Sequence, residues 1–599
     1  MTKTSAKQRL AGSAAPIPTG LTTGAAPLAL RRSAADLAGD SASQSSLAML
    51  DRAMGELRAM KIAPFLQRSV ECVRTEDAAG AGEWALKALE VDESNPIAWQ
   101  LLGISREKLG DFANAIKCYE TALPQLEDQG EIANDIGRLA FRLDHKDLAA
   151  ELFAHFFQAH PEIADGANNL ACVLRDQNRY VEAIDVLKAA LGHHPECALL
   201  WNTLGSVVCE QGDPVTAITF FEEALRLDPV HAKARYNRGS ALHGLARFEK
   251  ALEDCEAALK LATDPSDLAM MRLSRSTILL CLGRVAEGWD DYEARLDPHF
   301  VGVTQFLTER PRWSPADNLA GKSMLLIAEQ GLGDEVLFAN TVPDVIEALG
   351  PDGKLAIALE TRLISLFQRS FPNARIGAHV TYNVNGQTIR TMPFLGDQAG
   401  IDLWTPIAST LRRFRTSHAA FPNRPRFLVP DEGRINHWRE VLKSAPAGRK
   451  VGILWKSMKL SGSRHGHFSP FGEWETVLKT PSVTFVNLQY GDCADEIAQA
   501  KAEMGVDIWT PPGIDLKNDL DDLASLSCAL DLIVGFSNAT TNIAAACGAN
   551  VWMIGAPGSW VQMGADRHLW YPQVRLFTRE AGAEWGEIMG VVAGELAKV

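Results

Sequence analysis

The chain has 599 residues, 46% of them hydrophobic, and a formal net charge of −15 at pH 7. This length provides for several domains with hydrophobic cores, and the negative charge argues against a general electrostatic attraction to nucleic acid. The ten cysteines show no C-x-x-C spacing, which argues against a zinc site or a disulfide framework and favours a reducing compartment. No apolar run reaches the roughly 18 residues of a membrane helix and no segment has the pattern of a signal peptide, so we expect a cytoplasmic protein.

The first 45 residues are predicted to form a disordered tail. They are rich in Ala, Ser, Gly, Thr and Pro, and such a composition buries little surface against the entropy of ordering. An organelle-targeting function is the alternative interpretation. From residue 46 a helical pattern begins, and it continues to residue 296.

The predicted helical region, residues 46–296, contains an internal repeat of 34 residues. Small residues recur at this spacing, and a second series follows seven residues later with the same period. The two series are Ala81, Ala115, Ala149, Ala183, Ala217 and Ala251, and Ala88, Ala122, Phe156, Ala190, Ala224 and Ala258. The period resembles that of the tetratricopeptide repeat, two antiparallel helices with a small residue at their crossing. The sequence therefore predicts an α-solenoid of roughly six repeats with a degenerate last unit.

Amide side chains recur near the fifth position of successive repeats. They are Gln100, Asn134, Asn168, Asn202 and Asn237, the last standing beside Tyr236. This position of the first helix lines the concave face of a solenoid, and an amide both donates and accepts hydrogen bonds. The series resembles the asparagine ladder of nucleocytoplasmic O-linked sugar transferases, and it predicts binding of an extended segment of an acceptor protein. The alternative is a set of scattered, solvated amides.

Residues 297–322 are predicted to be a packed connector, because prolines interrupt the helical periodicity there. Beyond it, apolar runs of strand length alternate with helical patterns, which is typical of parallel sheets with crossover helices. These runs are 324–328, 355–359, 451–455, 483–488, 532–534 and 551–554. The sequence predicts an α/β unit of two Rossmann-like domains, residues 323–430 and 431–599, with ligands at the carboxyl ends of the strands.

The first candidate ligand turn is Gly331–Asp334, which follows the first predicted strand. Two glycines allow a ligand to approach the backbone closely. Asp334 lies where a helix begins, so its carboxylate would either face the cleft between the domains or cap the helix.

Two further turns contain candidate ligand-binding side chains. One follows the strand at 451–455 and contains Lys456, Ser457 and Arg464; its cations would neutralise a phosphate group or would simply form a solvated basic loop. The other follows the strand at 532–534 and contains Ser537, Asn538, Thr540 and Thr541. Hydroxyl and amide donors beside exposed backbone N–H groups at a helix start predict an anion site.

The connector and these turns resemble bacterial glycosyltransferases that join tetratricopeptide repeats to a heptosyltransferase-like catalytic unit of the GT-B type. The similarity extends over nearly all of the chain after residue 46. It is carried by Arg312-Trp313 and by residues 319–322, 328–334, 451–457, 485–489, 521–548 and 570–577. In architecture and length the chain is similar to the FlmG-type flagellin glycosyltransferases.

The resemblance implies a bacterial flagellum and motility function: transfer of a nonulosonic acid of the pseudaminic-acid type from a CMP-sugar to Ser or Thr of flagellin held by the repeats. It implies inversion at the sugar, no metal and no cofactor besides the nucleotide-sugar donor. Asp334 is similar in position to the general base of the family, and a carboxylate accepts the proton of an incoming hydroxyl. The implied donor-binding residues are Gly331, Gly333, Lys456, Ser457, Arg464, Gln489, Ser537, Asn538, Thr540 and Thr541.

The third turn departs from the family pattern. Relatives carry Asp-Thr or Asp-Ser, with His four residues later, where this chain has Ser537-Asn538 and Asn542. The loss of a negative charge would suit a donor that is itself a carboxylate, since two anions repel each other; the opposite interpretation is a decayed site. A repeat-based adaptor with a catalytically silent transferase fold therefore remains an alternative, and so does an envelope polysaccharide glycosyltransferase.

Overall fold

The computed structural model describes residues 41–126, 130–384, 387–457 and 466–599. Its contacts divide the chain into two compact units, Met1–Leu139 and Ala140–Val599. Of the predicted tail, residues 1–40 lie outside the described residues. The first described helix begins at Ser41, within the last residues of the predicted tail.

The described residues of the first unit form paired helices. Its helices are α1 Ser41–Arg74, α2 Ala78–Val91, α3 Pro96–Lys108, α4 Phe112–Ala122 and α5 Gly130–Arg142, the last crossing the boundary between units. The repeating alanines here, Ala81, Ala88, Ala115 and Ala122, are fully buried at helix contacts. A larger side chain at these positions would hold neighbouring helices apart, which explains the strict recurrence of a small residue.

The second unit begins with further paired helices of the repeat region. Its helices are α6 Lys146–Ala159, α7 Ala164–Asp176, α8 Tyr180–His193, α9 Ala198–Gln211, α10 Pro214–Leu227, α11 Ala232–Gly244, α12 Phe248–Leu261, α13 Pro265–Cys281 and α14 Val285–Tyr292. A 3-10 turn, Glu293–Leu296, ends the series. The prediction of a helical solenoid is confirmed.

Within the described parts of the chain, no helix is both long and apolar enough to span a membrane.

Mixed α/β structure follows the solenoid. The strands are β1 Thr304–Phe306, β2 Ser323–Ile327, β3 Lys354–Leu359, β4 Arg375–Ala378, β5 Val380–Val384, β6 Gln387–Thr391, β7 Leu403–Pro406, β8 Arg449–Leu454, β9 Val483–Asn487, β10 Leu532–Phe536, β11 Val551–Gly555 and β12 Arg575–Thr578. The helices are α15 Leu332–Phe338, α16 Val342–Leu349, α17 Ile364–Ser370, α18 Leu411–Phe414, α19 Glu432–Leu442, α20 Glu475–Leu478, α21 Ala494–Gln499, α22 Leu520–Ala529, α23 Ala539–Ala546 and α24 Trp585–Leu596.

Two parallel sheets form the centre of this region. One has four strands in the order β4-β3-β2-β7, and the other has five in the order β12-β11-β10-β8-β9. Every strand pair within them is parallel, which confirms the predicted parallel sheets. Strand β10 is buried along its whole length, as expected for a strand covered on both faces.

A third, smaller sheet was not predicted. It has the order β1-β6-β5, with β1 parallel to β6 and β5 antiparallel to it. Strand β1 comes from the segment predicted to be only a connector, so that prediction missed a strand. The strand was missed because three residues are too few to establish a period of two.

The end of the solenoid packs onto the α/β region through aromatic rings. Trp289 of α14 makes edge-to-face contacts with Trp560 and Trp570, at centroid distances of 6.0 and 6.2 Å. Tyr292 meets Phe338 of α15 at 6.2 Å. Large buried rings of this kind contribute much of the stabilising area of an interface. The last repeat is therefore an integral part of the second unit.

Candidate functional site

A cavity of about 740 Å³ lies at the carboxyl ends of strands from both parallel sheets. Residues that follow β2, β3, β8, β9 and β10 line much of it, and this is the position at which ligands bind in open α/β sheets. Seven of the predicted site residues line this one cavity: Gly331, Gly333, Asp334, Ser457, Ser537, Asn538 and Thr540. Three turns that are far apart in the sequence therefore meet around a single space.

Asp334 is the third residue of α15 and is half-buried at the cavity wall. One of its carboxylate oxygens, Oδ2, accepts a hydrogen bond from the Gly331 N–H at 3.2 Å. An acid at this position commonly reaches back to the start of its own helix in this way. The two interpretations of Asp334, a helix cap and a group facing the cleft, are thus compatible.

The two glycines of this turn differ in their surroundings. A Cβ atom on Gly333 would lie 3.3 Å from both the Ala539 backbone nitrogen and the Asn542 Nδ2 atom. Asn542 Nδ2 also donates to the Gly333 carbonyl at 3.4 Å. Gly333 therefore allows α15 and α23 to approach each other. Around Gly331, by contrast, the nearest atom to such a Cβ is Asp334 Oδ2 at 3.4 Å.

At the third turn, Asn538 caps α23. Its Oδ1 accepts from the Thr541 N–H at 3.2 Å, and its own N–H donates to Thr541 Oγ1 at 3.0 Å. The Thr541 hydroxyl donates in turn to the Phe536 carbonyl at 3.0 Å. Thr541 is fully buried and does not line the cavity, so the geometry assigns it to the cap rather than to the predicted contact with the donor. Ser537 and Thr540 remain at the cavity wall.

The described part of the second turn places one of its predicted donor-binding residues at the cavity. Ser457 lines it, but Lys456 does not, because its ammonium group forms an ion pair with Glu496. Gln489 is buried, and its Oε1 accepts from the Trp455 and Lys456 N–H groups at 3.0 Å. The Gln489 amide thus connects the ends of β8 and β9 and does not reach the cavity. Arg464 lies outside the described residues.

Four residues that the sequence analysis did not single out as ligand-binding side chains also line the cavity: Arg362, His467, Tyr490 and Lys517. Arg362 Nη1 donates to the Lys517 carbonyl at 2.7 Å, and its Nε lies 3.0 Å from Glu360 Oε1. Arg362 and Tyr490 stand just beyond β3 and β9, so the rule that ligands lie at strand ends could have found them. Lys517 follows no strand, and no local pattern marks it.

Buried charges support the turn that carries Asp334 on both sides. Before it, Glu329 pairs with Arg295 of the last solenoid turn at 2.7 Å. After it, Glu335 Oε1 lies 3.0 Å from His379 Nε2. Between them, Gln330 has φ +67°, a left-handed conformation that costs a non-glycine residue roughly 1–3 kcal/mol. Such strain persists where surrounding contacts determine the geometry.

The amide series of the solenoid is largely engaged in hydrogen bonds between neighbouring repeats. In the first unit, Gln100 Nε2 donates to Asp135 Oδ2 at 2.7 Å, and Asn134 is half-buried. In the second unit, Asn168 Oδ1 accepts from Thr203 Oγ1 at 2.6 Å.

Further along the second unit, Asn202 Oδ1 accepts from Asn237 Nδ2 at 2.8 Å. Asn202 is only 7% exposed. Its amide oxygen therefore bonds the next repeat, and the binding of an acceptor protein by the amide series stays a prediction.

Comparison with known proteins agrees with the repeats. The tetratricopeptide repeat family model matches residues 101–162, 134–196, 168–229 and 202–267, which confirms the repeat prediction there. Protein FlbA of Caulobacter vibrioides is 50% identical over 562 residues, covering 94% of each chain. The peroxisomal targeting signal receptor of Candida albicans is 27% identical over 183 residues, 29% of this chain and 31% of the receptor.

Among solved structures, the similarities concern part of the chain. A thermophilic TPR protein of Thermus thermophilus is 23% identical, with a TM-score of 0.28, and the match covers 31% of this chain and 99% of that one. YrrB, a TPR protein with an unusual peptide-binding site, is 22% identical with a TM-score of 0.25, covering 30% of this chain and 93% of its own. In both cases the match is shorter than a third of this chain.

Proposed function

The chain belongs to the family of protein FlbA of Caulobacter vibrioides, and we propose that it is an inverting, metal-independent protein O-glycosyltransferase. Its donor is a CMP-linked nonulosonic acid of the pseudaminic-acid type, and its acceptor is Ser or Thr of a flagellin bound by the repeats. The observation that carries the proposal is that Asp334 and the Ser537–Thr540 turn line the same cavity, one from each parallel sheet. Two such sheets with their carboxyl ends at one cleft suit a GT-B catalytic unit.

The proposed reaction is a single displacement at the anomeric carbon of the sugar. The acceptor hydroxyl oxygen forms a bond to that carbon while the bond from the carbon to the CMP phosphate oxygen breaks. The hydroxyl proton passes to the Asp334 carboxylate, and CMP leaves with the bonding electrons. A half-buried carboxylate at the cavity wall suits this use, because the base needs hydrogen-bond reach to the acceptor.

Charge compensation for the departing phosphate is assigned to two cations that line the cavity, Arg362 and Lys517. Arg362 also pairs with Glu360, and Lys456, which does not line the cavity, pairs with Glu496. The N-terminus of α23 adds backbone N–H groups and the positive end of a helix dipole. Together these groups would stabilise an anion in the cavity without a metal ion.

The charge of the cavity favours an anionic donor. Among the described lining residues, Asp334 is the single carboxylate, while Arg362 and Lys517 are cations. A CMP-nonulosonate has two negative charges, one on the phosphodiester and one on the sugar carboxylate. Ser537 stands where relatives have Asp, so this chain lacks an acid that would repel the second charge.

The test is transfer to purified flagellin by the full chain, with a CMP-activated nonulosonic acid as donor and intact mass as the readout. We expect wild type to add mass to flagellin and Asp334→Asn to add none, while both bind flagellin equally, because the substitution preserves shape and the acceptor oxygen of the cap. Asp352→Asn is the matched control and should retain activity. Asp352 is an exposed acid in the turn that follows helix α16. A wild-type chain that adds no mass, or an Asp334→Asn variant with full activity, contradicts the proposal.

An adaptor function is the second candidate, and two observations favour it. Lys456, a predicted cation of the leaving-group site, forms an ion pair with Glu496. The Asp334 carboxylate accepts a hydrogen bond at the start of its own helix. For an adaptor, flagellin from cells that lack this protein would have an unchanged mass. An envelope polysaccharide glycosyltransferase would leave the repeats without a function.

A further inference from the structure

The last turn of the solenoid, Glu293–Leu296, contacts the segment that leads to Asp334. Its Arg295 forms two parallel hydrogen bonds with Glu329: Nε to Oε2 at 2.9 Å and Nη2 to Oε1 at 2.7 Å. Both side chains are almost completely buried. A bidentate pair fixes the orientation of two planar groups as well as their distance.

The remaining polar atoms of this pair are also bonded. Arg295 Nη1 donates to the Tyr292 carbonyl at 3.0 Å and to Glu293 Oε1 at 2.9 Å. Glu329 Oε1 accepts in addition from the Ala408 N–H at 3.1 Å. Burial alone would lower the pKa of Arg295, but Glu329 and Glu293 raise that pKa above its ordinary value, so the guanidinium stays charged. The pair is a fully satisfied buried network, which has one preferred geometry.

Glu329 stands at the start of the strained turn. The next residue, Gln330, has φ +67°, and Gly331 and Asp334 follow. The left-handed backbone of Gln330 persists only while contacts on either side hold it. Glu329 supplies such a contact, because Arg295 and the Ala408 N–H fix its carboxylate. The position of Glu329 therefore determines where the Asp334 turn begins. On the other side of the turn, Glu335 is held by His379.

We propose, on the basis of the proposed function, that Arg295 is a positioning residue for the transfer reaction. Through Glu329 it holds the turn that carries Asp334 in the place where the carboxylate meets the acceptor hydroxyl. The catalytic unit therefore includes the last turn of the repeat solenoid, and a buried ion pair joins the repeats to the candidate base.

The test uses the full chain and three variants: Arg295→Lys, Arg295→Met combined with Glu329→Met, and the control Arg284→Met. Arg295→Lys keeps the charge but loses the bidentate geometry. The double variant avoids an unpaired buried carboxylate, which would endanger folding. Arg284 forms an equally bidentate pair with Glu287, but on the exposed surface of α14, and therefore matches the chemistry without touching the turn.

Hydrogen–deuterium exchange of the peptide covering residues 328–338 is the first readout, because it needs no activity. We expect faster exchange there in both Arg295 variants, unchanged exchange in β8 and β10, and wild-type behaviour in Arg284→Met. The second readout is transfer kinetics, where kcat should fall about 100-fold with donor affinity unchanged, as for a misplaced catalytic group. Unchanged exchange at 328–338, or a uniform rise over the whole chain, would overturn the proposal. If wild type shows no transfer at all, the proposed function fails, and the exchange result still decides whether Arg295 positions the turn.

Discussion

The two glycines of the Asp334 turn have different surroundings and so different reasons to be glycine. Gly333 lies against α23, where a Cβ atom would press on the Ala539 backbone and the Asn542 amide. Gly331 has φ −103°, an ordinary value, and open space on most sides. Both glycines line the cavity, but only Gly333 is also required by the packing of α15 against α23.

We therefore expect Gly333→Ala to destabilise the second unit by about 1–3 kcal/mol, because tightly packed helices must move apart. Gly331→Ala, the control in the same turn, should change the free energy of unfolding by less than about 1 kcal/mol. Chemical denaturation of the two variants measures the difference. Equal losses in both would show that the contact between α15 and α23 is not tight.

The small residues of the repeats are explained at the scale of helix pairs. On α9, a Cβ atom at Gly205 would lie 2.6 Å from the Phe221 ring of α10. The same relation holds in the first unit between Gly103 and Tyr119, also at 2.6 Å. In these two repeats the small residue meets a steric requirement, because an aromatic ring of the second helix rests on a glycine of the first.

Gly205→Ala should accordingly cost about 1–3 kcal/mol of stability, since overpacking forces the ring or the helix to shift. Gly192 is the matched control, because it lies within α8 and has no neighbouring atom within 4 Å. There the change to Ala should stabilise by up to about 1 kcal/mol through helix propensity. Thermal unfolding followed by circular dichroism separates the two outcomes, and a stabilised Gly205→Ala would contradict the steric explanation.

At the scale of the whole molecule, the half-buried His243 and the buried His568 link folding to pH. Burial lowers the pKa of His243 to about 4 and the pKa of His568 to about 3. His568 Nδ1 accepts from the Tyr571 N–H, a bond that requires the unprotonated nitrogen. In the unfolded chain both rings would take up a proton near pH 6.5. The stability they provide is therefore complete above pH 6.5 and is lost as the pH falls toward 4 and 3.

Within this window each histidine should cost about 1.4 kcal/mol of stability for every unit that the pH decreases. His568→Asn keeps a hydrogen-bond acceptor but cannot be protonated, so its unfolding midpoint should depend less steeply on pH between 6.5 and 4. His193→Asn, at an exposed position on α8, serves as the control and should keep the wild-type slope. Identical slopes in all three proteins would rule out the linkage to His568.

The sequence alone determined the features that depend on short-range pattern. The alanine period predicted the paired helices, because residues at a fixed spacing occupy the same helix contact in every repeat. Apolar runs predicted strands of both parallel sheets, and the strand-end rule predicted turns that meet at one cavity. Asp334, Ser457 and Ser537 were found in this way.

Only the tertiary structure decided which side chains meet. Lys456 pairs with Glu496, Arg362 reaches Lys517, and Arg295 bonds Glu329, yet none of these pairs has a spacing that a sequence pattern marks. Ion pairs and cavity walls form between segments brought together by the packing of whole elements, so their partners are set by the fold and not by neighbours in the chain. The amide series of the solenoid shows the same limit. Its regular spacing was visible in the sequence, but the hydrogen bonds of these amides to adjacent repeats were not.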